Sequence, residues 1–103
     1  MSGFVFHPDA LEDLEEIRDY IAADSVEAAD RLLEELYEAI KSLVSFPRIG
    51  HSRPDLTSRP LRFQVVRDYV VAYAADEKPL AIIAILHGRR NPRVIAAILD
   101  KRT

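Results

Sequence analysis

The spacing of apolar residues changes once along this chain, from the period of a helix to the period of a strand. Between residues 9 and 45 the apolar side chains recur every three or four positions, whereas from Leu61 onward they alternate with polar ones. The first spacing puts apolar groups on one face of a helix, and the second puts them on one face of a strand. Helices followed by clustered strands favour an α+β fold over an alternating α/β fold.

Two helices are expected in the first part of the chain. The stripe of the first helix, from Asp9 to about Ala23, contains Ala10, Leu14, Ile17 and Ile21, and that of the second contains Ala29, Leu32, Leu33, Leu36, Ile40 and Leu43. Between them, the run from Asp24 to Glu27 offers a capping residue with Glu three positions later, so one helix should end and another begin there. Pro47 and Gly50 mark the end of the second helix. A turn this short predicts an antiparallel helical hairpin.

Four strands and a short final helix complete the prediction. The expected strands are Phe4 to Phe6, Leu61 to Val66, Tyr69 to Ala75 and Leu80 to His87, and an irregular connection spans Phe46 to Pro60. The last strand is apolar on both faces, as a central strand should be. Asn91-Pro92 predicts a cap and first turn for a helix from Arg93 to about Lys101. We therefore expect one domain over residues 1–103, with the hairpin on one face of a mostly antiparallel sheet.

Composition excludes several classes of protein. The chain has no cysteine, which excludes a disulfide framework, thiolate catalysis and cysteine-based zinc sites. Its three histidines, at positions 7, 51 and 87, lack the short spacing of metal ligands, so we expect no metal site. Its three glycines could hardly build a phosphate-binding loop, and we expect no cofactor. The longest apolar run, Leu80 to Leu86, is too short to cross a bilayer. A soluble cytoplasmic protein without a signal peptide is expected.

Charge is divided unequally along the chain. Acidic residues dominate residues 1–45 and basic residues dominate the remainder, although the net charge is only −3. Attraction of the whole molecule to nucleic acid is therefore not expected. The densest basic cluster is Arg89, Arg90 and Arg93, which suits phosphate or an acidic peptide, with an ordinary solvated rim as the alternative.

Two further residues are candidates for function. Arg62 lies on the strand face opposite Leu61, Phe63 and Val65, where it would contact a partner, remain solvated or pair with a helix glutamate. His87 ends the last strand and carries an imidazole, so it would serve either catalysis as an acid or base, or a structural hydrogen bond to the loop that follows. His7, before the first helix, is expected to be a local cap or a surface residue, and His51 is assigned no role.

Several segments together resemble one known family. The run from Phe6 to Ile17 with Tyr20-Ile21 is similar to the opening of the ParE pattern, and Leu43, Phe46-Pro47 and Gly50 are similar to its helix exit and glycine loop. The later strands of the pattern are similar to Leu61-Arg62 with Tyr69 and Tyr73, and its last strand is similar to the run from Ile83 to Arg90. From Phe4 to about Asn91 the chain thus resembles the ParE branch of the ParE/RelE superfamily, of the plasmid stabilisation type.

This resemblance implies a RelE/ParE-like fold and the toxin half of a type II toxin–antitoxin system. A cognate ParD-like antitoxin would neutralise it in a hetero-oligomer, wrapping the toxin with an extended and helical C-terminal segment. Operator DNA would be reached only through the antitoxin. ParE-like members poison DNA gyrase, whereas RelE-like members cut messenger RNA in the ribosomal A site with basic and aromatic side chains. Fold similarity alone does not choose between these targets.

The residues favour the gyrase target. By alignment with the RelE-like pattern, Val70 replaces an arginine, and Ile95 or Ala96 stands where a catalytic tyrosine is expected. We therefore expect a non-enzymatic toxin without catalytic residues, whose target and antitoxin contacts include Arg62, Tyr69, His87, Arg89, Arg90 and Arg93. If the chain is instead a RelE-like endonuclease, the catalytic residues would be Arg62, His87, Arg89 and Arg90. A third alternative is an inert homologue that binds the antitoxin only to tune repression.

Overall fold

A four-stranded mixed sheet forms the centre of the computed structural model, which describes residues 3–102. The elements are β1 (Phe4–Phe6), α1 (Pro8–Ala22), α2 (Val26–Ser45), β2 (Leu61–Val66), β3 (Tyr69–Ala74), β4 (Leu80–His87) and α3 (Pro92–Lys101). The strands lie in the order β1-β4-β3-β2, with β1 parallel to β4 and the other pairs antiparallel. The predicted α+β fold is therefore confirmed.

Strand β4 lies between β1 and β3 and is covered on both faces. On one face α1 and α2 pack through residues such as Leu14, Leu36 and Ile40 against Val71, Ile82 and Ile85. On the other face α3 and the long connection contribute Ile95, Leu99 and Leu56 against Leu61, Phe63 and Ile83. Every residue from Leu80 to Leu86 is buried as a result. This explains why the β4 sequence is apolar at successive positions rather than at alternate ones.

Side chains cap the helices at the predicted places, with one shift. The Nδ1 atom of His7 accepts the Asp9 N–H at 3.0 Å, and Asn91 accepts the Arg93 N–H at 2.9 Å. The cap of α2 is Ser25, whose Oγ accepts the Ala28 N–H at 3.1 Å, so the Asp24 to Glu27 spacing is not the one used. Asp24 is still engaged by α1, because its N–H donates to the carbonyl of Ile21.

Tyr73 attaches the connection between α2 and β2 to the sheet. Its side chain is fully buried, its hydroxyl donates to the Pro47 carbonyl at 2.8 Å, and the same oxygen accepts the Gly50 N–H at 2.9 Å. A Cβ atom at Gly50 would lie 2.5 Å from that oxygen, so a side chain does not fit there. The backbone of His51 then pairs with that of Phe63, so the outer edge of β2 is covered at this position.

We predict that Tyr73→Phe lowers the free energy of unfolding by about 1–3 kcal/mol, because the Pro47 carbonyl and the Gly50 N–H both lose a buried partner. Urea denaturation monitored by circular dichroism measures the change. Tyr37→Phe is the matched control, since that side chain is 38% exposed and its ring contacts Phe6. Equal losses in the two variants would contradict a role for the Tyr73 hydroxyl.

Candidate functional site

Arg62 contacts backbone carbonyls of the long connection. Its Nη1 atom donates to the Gly50 carbonyl at 2.7 Å and to the Arg48 carbonyl at 3.3 Å, and the residue is half-buried. Its partners are therefore not a helix glutamate, which was one of the environments considered from sequence. The guanidinium holds the connection against β2. The Tyr73 hydroxyl binds the same connection, because it accepts the Gly50 N–H.

The sheet keeps Arg62 and His87 apart. Arg62 pairs with Tyr73, which pairs with Ile82, whereas His87 pairs with Tyr69 at the far end of β4. At about 3.3 Å for each of the four β3 residues from Tyr73 to Tyr69 and about 4.8 Å for each strand spacing, the Cα atoms of Arg62 and His87 are roughly 16 Å apart. The candidate residues therefore form two groups rather than one site.

His87 belongs to a compact group at the end of β4. Its ring meets Tyr69 edge to face, with 5.4 Å between the ring centroids, and its Nδ1 atom accepts the Arg89 N–H at 3.1 Å. Because Nδ1 is the acceptor, the neutral ring carries its proton on Nε2. Burial, followed by the charge of Asp68, raises the pKa of Tyr69, so its phenol stays protonated at neutral pH. Both rings therefore offer a donor.

An open groove of about 700 Å³ runs between α1 and the end of β4. Its lining residues are Asp13, Glu16, Ile17, Tyr20, Ile21, Ala28, Leu32, Arg67, Asp68, Tyr69, Ile85, Leu86, His87 and Arg90. Three residues of the expected contact set, Tyr69, His87 and Arg90, therefore line one surface. Arg89 and Arg93 are exposed in the neighbouring turn and first turn of α3 and do not line the groove.

Sequence reasoning did not assign the α1 wall of the groove to a site. Ile17 and Ile21 belong to the helical stripe that predicts the core, yet each is only half-buried. Tyr20 is 80% exposed and stands next to them in the groove lining. The available signal was an aromatic residue outside the apolar stripe of α1, because a large exposed aromatic residue often marks a contact surface.

The charges of the groove are only partly paired. Arg67 binds Glu35 at 2.6 Å, and this hydrogen bond lowers the pKa of Glu35. Within residues 3–102 no ion pair engages Arg90, which lies in the groove lining with His87. The end of the groove at β4 therefore combines the guanidinium of Arg90 with the carboxylate of Asp68 and with the hydrogen-bond donors of Tyr69 and His87.

A bidentate ion pair closes the inner end of the groove. Arg102 donates from Nη1 to Asp13 Oδ2 at 2.6 Å and from Nη2 to Asp13 Oδ1 at 3.0 Å, and each side chain is only 11% exposed. The hydrogen bond to Asp13 raises the pKa of Arg102. The sequence analysis gave the acidic residues of α1 no specific role, because their spacing does not reveal a partner at the opposite end of the chain.

The described residues contain neither a metal cluster nor a transmembrane helix. No group of three or more His, Cys, Asp or Glu side chains in residues 3–102 is placed to hold a metal ion. No helix in the same range is both long and apolar enough to span a bilayer. The groove lining offers two phenol hydroxyls, an imidazole, two guanidiniums and three carboxylates beside apolar side chains, an arrangement suited to peptide recognition.

We predict that Asp13→Ala lowers the free energy of unfolding by about 3 kcal/mol, because it leaves the Arg102 guanidinium nearly buried without its counter-ion. Thermal and urea denaturation give the value. Glu15→Ala is the control, since Glu15 is exposed on the same helix and its removal is expected to cost less than about 0.5 kcal/mol. A loss at Asp13 no larger than at Glu15 would show that the pair contributes nothing.

Comparison with known proteins gives consistent matches. Residues 4–92 match a family model described as the ParE toxin of type II toxin–antitoxin system, parDE. The chain is 36% identical over 87 residues to Toxin ParE3 of Caulobacter vibrioides, covering 84% of this chain and 82% of that protein. It is also 38% identical over 82 residues to Toxin RelE2 of the same species, covering 79% of this chain and 89% of the relative.

Proposed function

Because the chain belongs to the ParE toxin family of type II toxin–antitoxin systems, we propose that it inhibits DNA gyrase by binding and without catalysis. We propose further that a ParD-like antitoxin neutralises it. The observation that carries the non-enzymatic part is the separation of Arg62 from His87 across the sheet. The family itself rests on the match over residues 4–92 and on the two toxins of similar length.

Cleavage of RNA without a metal needs an acid, a base and a cation around one phosphate. Arg62 is held by the carbonyls of Gly50 and Arg48, and it is roughly 16 Å from His87 by strand geometry. Only His87 and Arg90 remain together in the groove, with the protonated phenol of Tyr69. A binding role requires no such convergence, so this arrangement supports inhibition by contact.

An RNA endonuclease is the second candidate function, and two observations favour it. One relative carries the name Toxin RelE2. The Nε2 side of His87, the Tyr69 phenol and the Arg90 guanidinium also share the groove, where they would place an acid, a donor and a cation near one phosphate. Under this candidate function His87 and Arg90 are the catalytic residues, and Arg62 contributes only to stability.

The groove is the surface we assign to the antitoxin. ParE-type toxins generally pair with an antitoxin, and a segment that covered this groove would bury the exposed ring of Tyr20 together with Ile17 and Ile21. Burial of such apolar area is the main source of affinity in segments that order on binding. Arg90 favours an acidic side chain of that segment, and Asp68 in the same lining favours a basic one.

The target is tested with the purified chain, DNA gyrase and relaxed plasmid. We expect loss of supercoiling and accumulation of cleaved DNA, and we expect messenger RNA on ribosomes to stay intact in a parallel primer-extension assay. Induction in cells should cause an SOS response. Transcripts cut in the ribosomal A site, with cleavage reduced at least a hundredfold in His87→Ala, would replace the gyrase proposal with the endonuclease. No effect of induction on growth would support the inert homologue.

The antitoxin surface is tested with Tyr20→Ala. The protein probe is the purified product of the reading frame that adjoins this gene. We expect its affinity to fall about tenfold or more, because a large exposed aromatic side chain is removed from the groove. Isothermal titration calorimetry measures the affinity. Phe46→Ala, which removes a 66% exposed ring far from the groove lining, is the matched control and should leave affinity unchanged.

A further inference from the structure

Three neighbouring arginines of this chain have side chains without a partner in the fold. Arg89 and Arg90 lie in the turn after β4, Arg93 lies in the first turn of α3, and all three are exposed. Within residues 3–102 no hydrogen bond or ion pair engages any of their guanidinium groups. We call these three residues the basic turn.

Most of the other arginines are already engaged. Backbone carbonyls or carboxylates bind the guanidinium groups of Arg18, Arg48, Arg53, Arg59, Arg62, Arg67 and Arg102. Within the same described residues, Arg31 on α2 is the other arginine that makes neither a hydrogen bond nor an ion pair. A free guanidinium binds an anion without first breaking a contact of its own, so the basic turn is available to a partner.

Carboxylates near the basic turn leave its charge in place. Asp55 is bound by a neighbouring arginine at 2.8 Å, and Asp68 lines the groove together with Arg90. Asp100 follows Arg93 by seven residues on α3, which at about 1.5 Å for each residue separates them by roughly 10 Å along the helix. In the described part of the chain, these carboxylates lower the positive potential of the basic turn without binding its guanidinium groups.

The opposite charge lies mainly on the other face of the sheet. There α1 and α2 pack and carry most of the exposed carboxylates, whereas α3 packs on the face that the basic turn adjoins. Because the net charge of the chain is −3, free DNA is repelled by the molecule as a whole. A polyanion would therefore bind the basic turn only when another contact holds the chain in the right orientation.

Gyrase, the proposed target, would supply that contact and a polyanion at once, because it acts on DNA. A bound protein shifts an equilibrium only as far as it binds one state more tightly than the other. Accumulation of cleaved DNA therefore requires a toxin that distinguishes gyrase with cleaved DNA from gyrase in its other states. Direct contact with the DNA is one physical basis for that distinction, and phosphate is an anion that a guanidinium binds in a bidentate manner.

We propose that the basic turn binds backbone phosphates of the DNA segment that gyrase holds, so that the toxin recognises the enzyme together with its DNA. This inference rests on the proposed function for the identity of the target. Gyrase fixes the orientation of the chain and keeps the acidic helices α1 and α2 away from the DNA. Phosphate contacts carry no sequence information, so the contact does not depend on the sequence that gyrase has bound.

The double variant Arg89→Gln, Arg93→Gln tests the contact and leaves the groove lining intact, because neither residue lines the groove. Biolayer interferometry measures binding to immobilised gyrase with and without a short DNA duplex. We expect DNA to raise the affinity of the unmodified chain about tenfold or more, and the double variant to lose most of that gain. Arg31→Gln, which removes an exposed arginine from α2, is the matched control and should keep it.

The dependence of binding on salt gives a second measurement. Each phosphate contact contributes about 0.9 to the slope of log affinity against log salt concentration. The double variant should therefore show a slope smaller by about 2 on gyrase with DNA, and an unchanged slope on gyrase alone. Equal melting temperatures of the variant and the unmodified chain show that the fold is retained, as expected for side chains without intramolecular partners.

The outcomes separate this inference from the proposed target. Equal affinity of the double variant and the unmodified chain for gyrase with DNA overturns the phosphate contact while the target stands. An affinity that DNA does not raise has the same meaning. An equally large loss on gyrase alone assigns the basic turn to an acidic surface of the enzyme, and binding of free DNA as tight as that of gyrase with DNA contradicts the need for gyrase. Absence of binding to gyrase in either form rejects the proposed target and this inference together.

Discussion

The short length of β1 governs the rest of this structure. Three residues pair with the first part of an eight-residue β4, and the remaining edge lies in the space where α1 passes the sheet. Buried backbone groups need partners, so the Asp13–Arg102 pair supplies them where the strand is missing. The groove lies along this uncovered part of the edge, because Asp13 of α1 and Ile85 and His87 of β4 line it.

Several arginines in the basic half of the chain donate hydrogen bonds to backbone carbonyls. Arg62 donates to the connection before β2, and Arg59 donates to the carbonyls of Leu99 and Arg102 at the end of α3. Arg102 in turn reaches the Ile83 carbonyl and Asp13. These contacts tie an irregular connection and a short terminal helix to the sheet. Positive charge therefore accumulates in this half for structural reasons as well as for binding, and Arg90 is the groove residue left to face a partner.

The local elements of the fold were predictable from sequence because their causes are local. Apolar periodicity located the helices and strands, and Asn91-Pro92 located the start of α3. The α2 cap was misplaced by one residue because two adjacent polar residues compete for it, and the last turn of α1 engages Asp24. His87, Arg89 and Arg90 were found together since they are neighbours along the chain. Arg62 was grouped with them from a family pattern, and the strand register separates it.

Sequence alone determined the order of the elements, the central position of β4 and the family, since each depends on patterns among nearby residues or on their order. Tertiary structure decided which polar groups meet. The contact between Asp13 and Arg102, at opposite ends of the chain, and the placement of Tyr20 opposite His87 depend on how α1 crosses the sheet. Such contacts are set by the packing of whole elements, and no spacing along the chain encodes the distance between them.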